Sequence, residues 1–275
     1  MTSLGYIHLL KIYLSTVYDY DFNNSNNNSK NILDHLQTPL YPVARIAAGR
    51  GYIDIIRMLL DIGIVFSGGE MAEAARAGHL NVVTLLQESL GSQQDQYRAL
   101  GMAAEYGHIQ VVQYLHNILI NDNDTERPKP SSFDKMCVKF GFDRAAQHGH
   151  MDVIKFLHEN RTEGCSTNAM IFAARNGHLE VIDYLHRNRT EGCSSVAVSM
   201  AILSRHLDVV KYLLANRTET SSTEAMSYAI RKGNLPVVQY LAQDLGVRPS
   251  TQDVIDAHES VLPFLQNLVG SSHPS

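Results

Sequence analysis

The stretch Ala173-Ala174-Arg175-Asn176-Gly177-His178-Leu179-Glu180-Val181-Ile182-Asp183-Tyr184-Leu185 decides the fold, because variants of it recur along the whole chain. With the residue after the turn glycine as anchor, the copies fall at Tyr52, His79, His108, His150, His178, His206 and Asn234. The steps between them are 27, 29, 42, 28, 28 and 28 residues, a period near 28 broken once by an insertion of about half a period. Insertions of that kind map to loops between stacked units.

Each copy reads as two short helices. The first is rich in small and apolar residues, as in Ala169, Met170, Phe172, Ala173 and Ala174, and it ends at Gly177, where a left-handed conformation costs glycine nothing. The second places Leu179, Val181, Ile182, Tyr184 and Leu185 at helical spacing, with Glu180 and Asp183 turned outward. Ser166-Thr167, Ser194-Ser195 and Ser222-Thr223 precede first helices and suit the capping of free N–H groups. A pair this short cannot hide its apolar faces alone, so the units must stack, and paired alanines let them approach closely.

This pattern resembles the ankyrin repeat, with its Ala-Ala pair, two variable residues, Gly-His and an apolar second helix. The resemblance runs from about Pro42 to Gly246. The family unit is about 33 residues long and opens Thr-Pro-Leu-His. Here the corresponding stretch is Asn168-Ala169-Met170-Ile171, and the missing length falls where the family places a β-hairpin finger, so short loops such as 160–166 are expected instead. Two copies depart further: Arg205 stands at the glycine position and Asn234 at the histidine position. The expected fold is all-α, an ankyrin-like solenoid of stacked helix-turn-helix repeats.

Outward from the repeats, the chain divides into a half-repeat N-terminal cap at 1–18, an Asn-rich flexible segment at 19–36 and repeats 1–3 at 37–120. A flexible insertion at 121–133, repeats 4–7 at 134–246 and a degenerate cap and tail at 247–275 complete it. In the last part Val261, Leu262, Phe264, Leu265 and Leu268 read as a worn second helix, cut by Pro263.

Hydrophobic residues make up 44% of the 275, enough for a sizeable core, so wholesale disorder is excluded. Lys plus Arg number 23 against 28 Asp plus Glu, a formal charge of −5 that argues against a surface built to grip nucleic acid or an anionic membrane. No apolar run approaches the roughly 20 residues of a spanning helix. The three cysteines, Cys137, Cys165 and Cys193, are spaced by 28 and point to a repeated small-side-chain position rather than a disulfide framework. A reducing, cytoplasmic compartment is expected, with the nucleus as the alternative, and a monomer.

The histidines invite a metal hypothesis, best in His148-Gly149-His150-Met151-Asp152. The repeat weakens it, because side chains one unit apart lie on the order of 10 Å from each other and cannot share one ion. The expected role for the turn histidine is a bond to the backbone of an adjacent unit, and no metal or other cofactor is expected. Regularly spaced copies also lack the convergent, asymmetric constellation that catalysis needs, and no nucleophile elbow, phosphate loop or zinc spacing occurs.

Variation is concentrated just before the turn glycine, which in ankyrin-like arrays lines the concave surface. There Arg76, Glu105, Tyr106, Gln147, His148, Arg175, Asn176, Arg231 and Lys232 form the candidate partner-binding strip, since Arg and Tyr are enriched at binding hot spots. Asn160-Arg161-Thr162-Glu163 recurs at 188–191 and 216–219, and a ladder of Arg–Glu pairs between neighbouring units is expected from it. The function expected from this reading is non-catalytic binding of a protein partner. The alternatives are a substrate-recruiting adaptor for a multi-subunit complex such as a ubiquitin ligase and, less favoured, an enzyme with a site in an insert.

Overall fold

A computed structural model describes residues 3–17, 30–66, 69–90, 93–121, 129–192, 194–218 and 220–270. All regular elements among them are helices. A lone helix, α1 (Ser3–Val17), is followed by helix pairs: α2 (Lys30–Gly49) with α3 (Ile53–Asp61), α4 (Gly69–Arg76) with α5 (Leu80–Leu90), and α6 (Gln93–Glu105) with α7 (Ile109–Asn121). Then come α8 (Ser132–His148) with α9 (Met151–Asn160), α10 (Thr167–Asn176) with α11 (Leu179–Asn188), α12 (Ser195–Leu203) with α13 (Leu207–Asn216), and α14 (Ser222–Arg231) with α15 (Leu235–Gln239). A π-helical turn, Tyr240–Asp244, prolongs α15, and α16 (Thr251–Ile255) and α17 (Leu262–Gly270) end the series. The fold is an all-α repeat solenoid.

The chain forms two compact units, Met1–Phe142 with Lys155–Glu163, and Asp143–Ile154 with Gly164–Ser275. In the first, α2 packs on α4 and α4 on α6, while α3, α5 and α7 form a second row that α1 joins against α3. The second repeats the arrangement, with α10, α12 and α14 in one row and α11, α13 and α15 in the other, and α16 against α14.

Sequence periodicity explains the packing residue by residue. The alanine pairs Ala74–Ala75, Ala103–Ala104 and Ala173–Ala174 are buried where first helices meet. Second helices bury a matching triplet at positions i, i+1 and i+4, such as Val82, Val83 and Leu86, or Val181, Ile182 and Leu185. Each first helix closes in the same way: the N–H after the turn glycine returns to an alanine carbonyl five residues back, as in His108 to Ala103 (2.9 Å) and His178 to Ala173 (3.0 Å). That bond uses a carbonyl the helix end would otherwise leave unsatisfied, and it needs a left-handed residue before it. Gly177 supplies one at φ 77°.

Several expectations need correcting. Helix α2 begins at Lys30, so residues 30–36 are helical rather than part of a flexible segment; residues 18–29 lie outside those described. Likewise α7 reaches Asn121 and α8 starts at Ser132, so both ends of the supposed 121–133 insertion are helical, and 122–128 lie outside the described residues. Cys137 therefore sits in a helix. Pro263 does not cut a helix: it is the second residue of α17, where a missing N–H costs nothing. The cap of α14 is Ser221, in a reciprocal capping box with Glu224, not Ser222, whereas Ser166 caps α10 through the Asn168 N–H.

Candidate functional site

The turn histidines are structural, and their geometry defines what the neighbouring positions are left free to do. Four of the rings, those of His79, His108, His178 and His206, lie over the turn glycine of the preceding repeat. A Cβ added to Gly51, Gly78, Gly149 or Gly177 would fall 2.5–2.9 Å from the Nδ1 of His79, His108, His178 or His206. The far nitrogen then reaches a carbonyl of that same preceding turn, His108 Nε2 to Arg76 O and His178 Nε2 to Gln147 O, both at 2.9 Å. Asn234 keeps the second half of the device, donating from Nδ2 to Ile202 O at 2.6 Å. At the end of the series His258 covers Gly233 in the same manner, although no glycine precedes it to mark it as a turn position.

The candidate strip falls into two stretches, one in each unit. In the first unit the structure joins Arg76 and Tyr106: the guanidinium carbon sits 5.5 Å from the ring centroid. Arg76 Nε also donates to Glu73 Oε2 at 2.8 Å, and Arg45 Nη2 donates to the other carboxylate oxygen at 2.6 Å. Burial would raise the Glu73 carboxyl, but the hydrogen bonds and charges of Arg45 and Arg76 hold it below its ordinary value. Arg45, Glu73, Arg76 and Tyr106 thus form a chain of contacts across three successive repeats, with Tyr106 44% exposed. Glu105, next to it, is half-buried.

In the second unit the strip is partly consumed by the frame. Gln147 O accepts from Asn176 Nδ2 at 2.6 Å as well as from the histidine, and Gln147 Oε1 accepts from Arg144. Arg144 in turn lies over Phe172, 5.3 Å from its centroid. His148 is exposed, its ring 5.8 Å from that of His150. Arg175, Arg231 and Lys232 are exposed, and Lys232 Nζ is 5.5 Å from the Tyr228 ring. Arg231, Tyr228 and Glu224 line a polar hollow of about 260 Å³ between α12 and α14. Arg45, Glu73 and Tyr228 were missed because they lie one turn before the variable pair. The usable signal was the 28-residue spacing of the opposite charges Arg45 and Glu73.

In the first two Arg-Thr-Glu loops the ion pairs lie inside the loop. Arg161 pairs with Glu163 and Arg189 with Glu191, each within its own loop, because a two-residue spacing across the bend brings the groups together first. Links between repeats run instead from Arg161 to the Tyr97 ring (5.4 Å) and from the Cys165 N–H to Glu191 Oε1 (3.3 Å). Both side chains of the Arg161–Glu163 pair are 8% exposed, which removes that pair from any recognition surface. Glu219 lies outside the described residues.

Burial pushes the Cys137 thiol up, and burial with the nearby Glu191 carboxylate pushes Cys165 up to about 12, the opposite of what a thiolate nucleophile needs. Cys193 lies outside the described residues. Among the described residues no group of three or more His, Cys, Asp and Glu is placed to hold a metal ion, and no helix is long and apolar enough to cross a membrane.

Residues 142–186, the end of α8 through most of α11, match the family model of ankyrin repeats in many copies. Over those residues the chain is similar to ankyrin repeats. No curated protein matches it. Ankyrin repeats serve generally as protein–protein interaction modules and are typically non-catalytic. In this chain the histidine–glycine clasp and the alanine rows hold the frame, and side chains at the ends of first helices differ from repeat to repeat.

Proposed function

We propose that this chain binds a protein partner through the ends of its first helices, the positions that line the concave surface of ankyrin-like arrays, and that it does so without catalysis. One observation carries the reading. Arg76 is held between the Glu73 carboxylate and the face of Tyr106 while both it and the tyrosine stay exposed. Arg and Tyr fixed in place lose little rotamer freedom on binding, which is the condition under which such side chains dominate an interface. Arg175, Arg231 and Lys232 offer the same chemistry in the second unit.

The test is affinity purification from the native cell with mass spectrometry, wild type beside Arg76→Glu/Tyr106→Ala and Arg175→Glu/Arg231→Glu, each checked for an intact fold. A partner captured by wild type and lost with either double variant supports the strip. A partner retained by both moves the site elsewhere, and a catalytic turnover abolished by one change outside the repeats would replace the binding reading with an enzymatic one.

A further inference from the structure

Helix α8 has 17 residues against 13 in α6 and 10 in α10, and its first turns present an apolar stripe to solvent. Phe133, Met136 and Phe140 are 46%, 56% and 48% exposed. At 100° per residue they fall within about 60° of one another on the helix circumference. The opposite side of the same turns is where packing is found: Val138 and Phe142 are buried, and Gly101 and Gly141 bring the backbones of α6 and α8 together, a Cβ on Gly141 meeting Gly101 O at 2.6 Å. Phe133, Met136 and Phe140 stay exposed on the other side.

Its charged surroundings are of one sign. Lys135 and Lys139 flank the stripe, and Lys129 precedes it, all exposed. The single acid between residues 129 and 140, Asp134, is buried and occupied by the N–H and hydroxyl of Ser131. Glu163, across a hollow of about 450 Å³ that Lys135, Met136 and Lys139 line, is neutralised by Arg161. A basic patch with apolar anchors, on a chain whose formal charge is −5, is a local specialisation rather than a reflection of composition. Residues 122–128 contain Asp122, Asp124 and Glu126 but no large apolar side chain, so they lack the apolar half of a complement.

We infer that the first turns of α8 are a second docking surface, for an acidic amphipathic helix of a partner protein. Its apolar side covers Phe133, Met136 and Phe140, and its carboxylates meet Lys129, Lys135 and Lys139. Apolar anchors supply the desolvated centre, while the lysines at the rim steer and orient the encounter.

The probe is a fluorescein-labelled synthetic helix with leucines at i, i+3 and i+7 and glutamates between them, titrated by anisotropy against the full chain beside a scrambled peptide of the same composition. The expected result is saturable binding of the patterned peptide only, weakened several-fold as salt rises through the physiological range. Lys135→Glu/Lys139→Glu and Phe133→Ser/Met136→Ser should each raise Kd by about tenfold or more. These side chains are exposed, so the variants should keep wild-type circular dichroism and unfolding midpoints. Arg175→Glu/Arg231→Glu should leave the probe's affinity unchanged, which separates this surface from the strip proposed above. Equal binding of the scrambled peptide, or no binding, overturns the inference. So does loss of binding in Leu9→Glu/Ile46→Glu alone, which would seat the probe in the apolar groove that Leu9, Leu10, Val43 and Ile46 line between α1 and α2, or a concentration-dependent dimer abolished by Phe133→Ser/Met136→Ser, which would make a second copy the occupant.

Discussion

The imidazole of His206 lies over Gly177 so closely that a Cβ there would stand 2.6 Å from both Nδ1 and Cε1. The glycine is thus demanded twice, once by a backbone at φ 77° and once by the ring of the next repeat. This pairing also accounts for two departures that looked like independent decay. Arg205 occupies a turn-glycine position at φ 66°, and one repeat later the histidine that would cover it is Asn234. A residue with a Cβ at the turn leaves no room for a ring above it, and asparagine is the shorter side chain that still reaches the carbonyl of Ile202.

Gly177→Ala should accordingly destabilise the chain by about 2 kcal/mol or more, strain and overlap combined. Adding His206→Asn should restore part of the loss. Urea unfolding of the single and double variants measures both, and purely additive effects would contradict the clasp.

Arg205→Gly should stabilise by about 1 kcal/mol, the left-handed penalty relieved less the entropy that glycine brings to the unfolded chain. Asn234→His should be harmful beside Arg205 and tolerated beside Gly at that position. The double-mutant cycle reads the coupling directly; a coupling near zero would mean the two departures are unrelated.

Gly101→Ala should lower stability although alanine is the better helix former, because its Cβ would meet Cys137 O at 2.5 Å and push α6 from α8. The expected loss is on the order of 2 kcal/mol, within the range of overpacked cores. A gain in midpoint would show that the helices separate without cost.

Acid should weaken the protein in two stages. Burial, with the Arg161 charge opposing and Glu163 favouring protonation, holds His116 below its ordinary 6.5, so its neutral form stabilises the fold above that pH and the benefit fades as pH falls. Burial would raise the Glu191 carboxyl, but hydrogen bonds from Arg189 and from backbone N–H groups, including that of Cys165, bring it down from 4.5 to about 2. Its depressed value adds stability above pH 4.5 that is lost as pH falls towards 2, at most about 3 kcal/mol. His116→Leu should flatten the upper limb of a stability–pH profile and Glu191→Gln the lower one.

Arg189→Ala should cost about 1–2 kcal/mol, since it leaves Glu191 half-buried without its partner, and should raise the pH at which the lower limb falls. Differential scanning calorimetry across pH checks both effects together. An unchanged midpoint would reduce the Arg189–Glu191 pair to an ornament of duplication.

Much of this could be read before the structure, and the limits are physical. Gly177 and the alanine pairs announce the helix ends and the close rows, because both follow from local backbone and side-chain volume. The pairing of Arg161 with Glu163 rather than with a neighbouring loop was not legible, since it depends on how the bend between helices turns two residues towards each other. Pro263 misled because its effect depends on its place in the helix, and it falls second in α17, between the buried Val261 and Leu265. The Phe133 stripe was hidden by an assumed boundary inside the insertion.

The sequence by itself determined the period, the helix pairs, the inward faces and the all-α repeat class, because a 28-residue recurrence of Ala-Ala, Gly-His and an apolar triplet can bury its surface only by stacking. Tertiary structure alone decided which variable residues are free. Arg76 and Tyr106 meet and stay exposed, whereas the Asn176 side chain is tied to the Gln147 carbonyl of the preceding repeat and the Gln147 side chain to Arg144. That division depends on distances between repeats of a few ångströms, which fall between positions about 28 residues apart and leave no mark on local pattern.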